Sequence, residues 1–474
     1  MRRSQSTRLA LSTAAFLFVA GSLVFFNSPV YADWKYDIGY TQLAAELGSS
    51  MPTGSSVTVT QVEAADPASS TNYSPNPSNS ALSGVSFTYE GLATSGSVSS
   101  HATTVATYFY GSKSLVSGVT DATIWDAGSW LSWVGNKEST DVVNCSWIAT
   151  SSQISASNAT IYSQLLDYSI RDSDYVAVVG VNNDDSPTLP YLLCQSYNSI
   201  SVGLTNGNHS SGTTTLNGAG RIKPEIVAPA SATSWATAMV SSAAALLVDA
   251  SRSISTTAGT NSAIKAVLLA GATKSEFSDW SHTHDRPLDD TYGAGELNVD
   301  RSYHILAGGQ HSASATRNRT TSIITKTAAG NISDDGWDYS RNAANTEKLY
   351  YFSVGQGETV SELSAVLTWN AVVISSGSSL TTTVANLDLY LYSVSDTGTL
   401  TQLDLSDSSV DNVELLYETY LASGDYAFGV TGTANTYYGL AWHIAVPEPG
   451  AAILLITALI AGIRISHRRR GRNG

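Results

Sequence analysis

Cysteine is nearly absent: the chain has two, Cys145 and Cys194, in 474 residues. Two cannot build a disulfide scaffold or supply four thiolates to a structural zinc. Positive charge is scarce too. Lys and Arg number 24 against 39 Asp and Glu, for a net charge of −15 and a pI near 4.8. Nucleic-acid binding needs clustered Lys and Arg, so that class is set aside. Long hydrophobic runs occur only at the two ends, which argues against a polytopic membrane protein, while 42% hydrophobic residues is too many for a disordered chain. No repeat of fixed period is evident. At roughly 100–200 residues per domain, the length implies more than one domain.

The two ends read as addresses. Arg2, Arg3 and Arg8 flank an apolar run from Leu9 to Phe26, and Val30-Tyr31-Ala32 forms a small-x-small-like cleavage site. Residues 1–32 are therefore expected to be a secretory signal peptide. At the other end, Val446-Pro447-Glu448-Pro449-Gly450 precedes the apolar run Ala451–Ile463 and a tail with Arg464, Arg468, Arg469, Arg470 and Arg472. The run is short against the roughly 20 residues of a spanning helix, and the basic tail should remain cytoplasmic. Residues 446–474 resemble the PEP-CTERM sorting signal. The resemblance implies a membrane-inserted C-terminal helix before processing, an exosortase-type processing partner, and delivery to the cell envelope, surface or extracellular matrix of a Gram-negative-type bacterium. Between the two signals lie 16 Lys and Arg and 38 Asp and Glu, a body near −22.

Residues 33–307 alternate β-branched runs with Ala-rich runs. Val57–Val62, Asp141–Cys145, Tyr175–Val181 and Ser199–Val202 read as buried strands, and His101–Tyr110 and Ser234–Ala250 as helices. Strands alternating with helices imply an α/β domain with a mostly parallel sheet. From residue 308 to 445 helical periodicity disappears. Runs such as Leu363–Trp369, Asn386–Tyr392 and Asp425–Val430, split by Gly, Ser, Asp and Asn, read as an all-β sandwich.

Three segments carry chemistry. Lys223-Pro-Glu-Ile-Val-Ala-Pro229 leads into Ser231-Ala-Thr-Ser234 and an Ala-rich helix. A Ser there sits where free helix N–H groups and the dipole favour a developing oxyanion. Ser100-His101-Ala-Thr-Thr-Val-Ala106 opens the earlier helix, and Val57-Thr-Val-Thr-Gln-Val-Glu63 is a strand ending in a carboxylate, with Asp66 three residues on. Together these segments resemble the subtilisin-like serine proteases, the subtilases, in the chain order carboxylate, His, Ser. The resemblance implies a subtilisin-like three-layer fold. It makes Ser234 the nucleophile, His101 the general base and Glu63, with Asp66 as the alternative, the carboxylate that orients the base. It places an oxyanion donor at Asn183, with Asn182 as the alternative, in Val176-Ala-Val-Val-Gly-Val-Asn-Asn183. Val142-Val-Asn-Cys-Ser146-Trp147 resembles the strand that lines the substrate pocket, which implicates Ser146 and Trp147. The motifs depart from the family pattern at Ala102 and Ala232, each in place of Gly, and at Ala238 in place of Pro.

Other features stay open. His282-x-His284-Asp285 looks like a metal motif but lacks a fourth ligand, so no metal site is assigned. No cofactor is required. Turn acids such as Asp172, Asp184, Asp289 and Asp290 leave a structural calcium open without a recognisable ligand spacing. Cys145 and Cys194 are either a disulfide or two buried thiols. The segments around Trp369, Asp388 and Tyr426 resemble the bacterial pre-peptidase C-terminal domain. The expectation is an exported serine endopeptidase acting on peptide or protein substrates. Its rival is a catalytically inactive subtilase-fold surface binding protein, motivated by the motif substitutions.

Overall fold

The computed structural model describes residues 33–66, 69–318, 331–376 and 379–447. The expected signal peptide and sorting helix lie outside the described residues. Among the described residues no helix is long and apolar enough to cross a membrane.

Seven strands form the first sheet: β1 (Val59–Glu63), β2 (Ser86–Glu90), β3 (Asp121–Asp126), β4 (Val142–Cys145), β5 (Val176–Gly180), β6 (Ile200–Leu204) and β7 (Ile226–Ala228). Their order is β2-β3-β1-β4-β5-β6-β7, and every neighbouring pair is parallel. All their C-termini therefore point to one edge. After β1 the chain places β2 at one edge and β3 between β2 and β1, then crosses to place β4 on the other side of β1. A crevice opens at such a switch point, and in open parallel sheets that is where ligands bind.

Period-two alternation divides the strands between two layers. Val142, Val176 and Val178 join an apolar cluster with helices α3 (Ser100–Phe109), α6 (Thr233–Ser251) and α7 (Asn261–Gly271). Val143, Ala177 and Val179 join a second cluster with α4 (Ala127–Trp133) and α5 (Ala156–Ser173). Sheet and helices thus make three layers. Helix α6 is buried nearly all round, and its Ala residues allow it to lie close to the sheet. Strands β2 and β3 were not evident in the sequence. β2 is an edge strand with alternating exposure and little continuous apolar character.

The second region is antiparallel throughout. The strands of its two main sheets are β8 (Ala315–Asn318), β9 (Asp335–Arg341), β10 (Thr346–Val354), β11 (Glu362–Trp369), β12 (Leu387–Val394), β13 (Leu400–Ser406), β14 (Val413–Glu418), β15 (Gly424–Gly432) and β16 (Tyr437–Ala445). They form a five-stranded sheet, β8-β10-β15-β12-β13, and a four-stranded sheet, β9-β16-β11-β14. Leu387, Leu389 and Leu391 pack with Leu363, Leu367, Trp369 and Trp442 in a core of their own.

The outer face of the four-stranded sheet is not left to solvent. Trp337, Val366, Val413, Leu415 and Ala441 belong to the same apolar cluster as α6 and α7. Every residue of α7 is buried. The Thr368 hydroxyl donates to the Ser262 carbonyl at 2.7 Å, and a Cβ at Gly439 would lie 2.5 Å from that same oxygen, so only Gly admits this approach. Asn198 and Ala371 exchange two hydrogen bonds, at 3.1 and 2.7 Å, and Arg301 grips Glu362 with both guanidinium nitrogens at 2.7 and 3.0 Å. The α/β region and the β-sandwich are one compact unit with a shared core.

Candidate active site

β1 is buried at all five positions and ends at Glu63, 1% exposed, on the C-terminal edge of the sheet. Helix α3 starts beside it. Ser99 is its N-cap, with Oγ accepting from the Ala102 N–H at 3.2 Å, which sets His101 in the first turn. Helix α6 starts at Thr233 and carries Ser234 in its first turn. Three elements far apart in sequence therefore deliver one side chain each to the same edge.

The three side chains form a chain of hydrogen bonds. His101 Nδ1 lies 2.9 Å from Glu63 Oε2, and His101 Nε2 lies 3.0 Å from Ser234 Oγ. An ionised carboxylate only accepts, so Nδ1 carries the proton and Nε2 is free to take one from Ser234. Burial alone would lower the pKa of His101. The hydrogen bond and charge of Glu63, with the charge of Asp66, outweigh it and raise the ring above its ordinary 6.5. Asp66 is placed differently: its Oδ2 accepts from the Ser99 hydroxyl at 3.3 Å.

The oxyanion candidates also separate. Asn183 Oδ1 accepts from the Thr233 N–H at 2.7 Å and from its hydroxyl at 3.0 Å. With the amide oxygen held, its nitrogen is left as a donor beside Ser234. Asn182 instead donates to Asp184 and accepts from the Asn183 N–H. The Ser234 N–H lies in the first turn of α6, where backbone N–H groups have no intrahelical acceptor.

Ser146 and Trp147 follow β4 and line a cavity of about 40 Å³ whose other walls include Gly180, Val181, Asn182, Asn183 and Ser234. The Trp147 indole is buried among Cys145, Leu189, Leu192 and Cys194. Both cysteines are free buried thiols, which settles the disulfide alternative. His284 pairs with Asp407 at 2.8 Å and is otherwise exposed. Asp289 accepts from three backbone N–H groups, and Asp290 accepts from Arg286.

Neighbours that sequence reasoning missed complete the site. The Trp235 ring lies 5.2 Å from the His101 ring and stacks on Tyr108 at 6.3 Å. Gln61 and Tyr110 lie behind Glu63. Gln61 carried a signal, being a polar residue inside an apolar strand, two positions from Glu63 and so on its face. The substituted positions fit their surroundings. Ala232 has φ −151° and ψ 147°, ordinary extended backbone, and Ala102 and Ala238 sit within continuous helices.

Residues 91–303 match the model of the subtilase family, Peptidase_S8. That span includes His101 and Ser234 and begins after Glu63. No curated protein matches the chain. Among solved structures, the prenylagaramide maturation protease PagA is 17% identical and covers 56% of this chain and 99% of its own, with a TM-score of 0.42. A protease of Pseudoalteromonas arctica is 14% identical and covers 59% and 99%, with a TM-score of 0.41. Over residues 91–303, the greater part of its α/β domain, this chain is similar to the subtilase family of peptidases.

Proposed function

We propose that this protein is an exported serine endopeptidase. The observation that carries the reading is the hydrogen-bonded chain Glu63–His101–Ser234, at 2.9 and 3.0 Å. Ser234 Oγ attacks the peptide carbonyl while His101 Nε2 takes its proton. Glu63 holds the ring tautomer and offsets the imidazolium charge. The Asn183 amide and the Ser234 N–H donate to the oxyanion of the tetrahedral intermediate. His101 then gives the proton to the leaving amine, and water, activated the same way, releases the acyl group from Ser234.

The cavity beside Ser234 sets the acyl-side residue of the substrate, P1. At about 40 Å³ it is small and favours a short side chain such as Ala or Ser over an aromatic ring. Export, exosortase processing and surface delivery rest on residues 1–32 and 446–474 of the sequence. Ala102, Ala232 and Ala238 take ordinary helical or extended backbone, which supports the active reading over an inactive binding protein. A structural calcium on turn acids is an independent question that atomic absorption on the purified protein answers.

The test is labelling by a fluorophosphonate probe. Wild type should label, and Ser234→Ala should not. Equal labelling of the two, or none of wild type, overturns the reading.

A further inference from the structure

Gln61 is fully buried on β1 and uses its whole amide. Its Nε2 donates to Glu63 Oε1 at 2.7 Å and to the Ala102 carbonyl at 2.9 Å, and its Oε1 accepts from the Tyr110 hydroxyl at 2.6 Å. Glu63 Oε1 and the Ala102 carbonyl can only accept, so the amide cannot be flipped and Tyr110 must be the donor to it. Burial and the Glu63 charge push the Tyr110 phenol up, so it stays protonated.

The anchors of this amide are as informative as its target. Ala102 follows His101 in the first turn of α3, and Tyr110 is the C-cap of the same helix. Gln61 therefore ties β1, which carries Glu63, to both ends of the helix that carries His101. Glu has one more rotatable bond than Asp, and a buried carboxylate with a free torsion would not hold one oxygen on Nδ1. Gln61 occupies Oε1 and leaves Oε2 for His101.

We propose that Gln61, braced by Tyr110, is the positioning residue that lets a glutamate serve as the orienting carboxylate for His101. The inference rests on the proposed function, and it concerns a residue that touches neither substrate nor reacting atoms. Removing the amide leaves Oε1 without its donor and frees the Glu63 torsion. The undiluted carboxylate charge then faces His101, which moves the acidic limb of activity to higher pH. The other titratable groups around the pair are Asp66, Tyr110, Tyr89, Cys145 and Asp126, the β3 register partner of Glu63. Burial raises Tyr110, Tyr89 and Cys145, which stay neutral through the acidic limb, and Asp66 is the further carboxylate whose charge raises His101.

The experiment measures the fluorophosphonate labelling rate against pH, together with the His101 ring pKa by NMR, in wild type, Gln61→Leu and Tyr110→Phe. Thermal melting serves as the folding check. Gln61→Leu should label about tenfold more slowly near neutral pH. Its acidic limb and its His101 pKa should both move up by about half a unit, and Tyr110→Phe should shift both in the same direction by less. A folded Gln61→Leu with wild-type rate and limb overturns the proposal. If Gln61→Leu does not fold, Tyr110→Phe decides, and an unmoved limb in that variant overturns it. If wild type itself fails to label, the protease reading falls, and the His101 pKa alone decides the positioning role.

Discussion

Ser146 and Ser234 face each other with reciprocal hydrogen-bonding groups. The Ser146 hydroxyl reaches the Ser234 carbonyl at 2.9 Å, and the Ser234 hydroxyl lies 3.2 Å from the Ser146 carbonyl. Ser234 therefore has two acceptors for one proton, His101 Nε2 and the Ser146 carbonyl. When the ring is neutral the proton faces Nε2; once Nε2 is protonated only the carbonyl can take it. The other half of the pair fastens the first turn of α6 to the end of β4. Ser146→Ala should cost about 1 kcal/mol of stability, read as a lower denaturant midpoint. Labelling of Ser234 should stay within a few-fold of wild type. A collapse of labelling would mean that Ser146 acts in the chemistry itself.

The two carboxylates should separate sharply by mutation. Glu63→Gln places a group that can donate against Nδ1 and favours the wrong tautomer, so kcat/KM should fall on the order of 10⁴-fold. Asp66→Asn removes only a distant charge and should leave the neutral-pH rate within a few-fold. Activity needs neutral His101, so it should fall with decreasing pH through a midpoint above 6.5. Asp66→Asn should move that midpoint down. The reverse ranking of the two variants would transfer the orienting role to Asp66.

A buried glutamate away from the site gives stability a pH dependence. Burial, opposed by a hydrogen bond from Thr60 and reinforced by the Glu90 charge, raises Glu138 from 4.5 to about 7. Between those values the folded state binds more protons than the unfolded one, so stability falls as pH rises from 4.5 to 7 and stays lower above that. Glu138→Gln should melt with wild type at pH 4.5 and roughly a degree or two above it at pH 8. Parallel melting curves for the two proteins across that range would refute the assignment.

Substrate size is the most direct test of the slot. A peptide panel varied only at P1 should be cut at Ala and Ser on the order of 100-fold faster than at Phe. Asn182 borders both this slot and a cavity of about 180 Å³ lined also by Thr150, Asp184 and Tyr191. Asn182→Ala should join the two and narrow the Ala-to-Phe ratio. Because the readout is a ratio, a general loss of activity from disturbing Asn183 cancels. Preference for Phe by wild type would exclude a small slot.

What was legible in the sequence was what local chemistry dictates. The runs at Val142, Val176 and Ile200 announced buried strands, and His101 to Tyr110 and Ser234 to Ala250 announced helices with chemistry in the first turn. The order of Glu63, His101 and Ser234 could be read because each side chain sits at the end of its own element. Partnerships across the fold could not be read. Nothing near Gln61 in sequence announces Tyr110, 49 residues away, and nothing near Cys145 says that Cys194 shares its apolar cluster without bonding to it. The sandwich was legible as a set of strands; its second apolar face, Val366, Val413 and Ala441, reads as ordinary alternation until α7 is seen against it.

The burial of α7 has a consequence in time. A chain is made from its N-terminus, and domains generally fold as they emerge. Here the helix after Ser234 is covered on one side by α6 and on the other by β11 and β16, the last of which ends at Ala445. All the side chains of the proposed chemistry are synthesised by residue 234, yet the layer that supports them closes only when residues some 200 positions later arrive. A chain cut before β11 would therefore leave the outer face of α7 without its apolar cover.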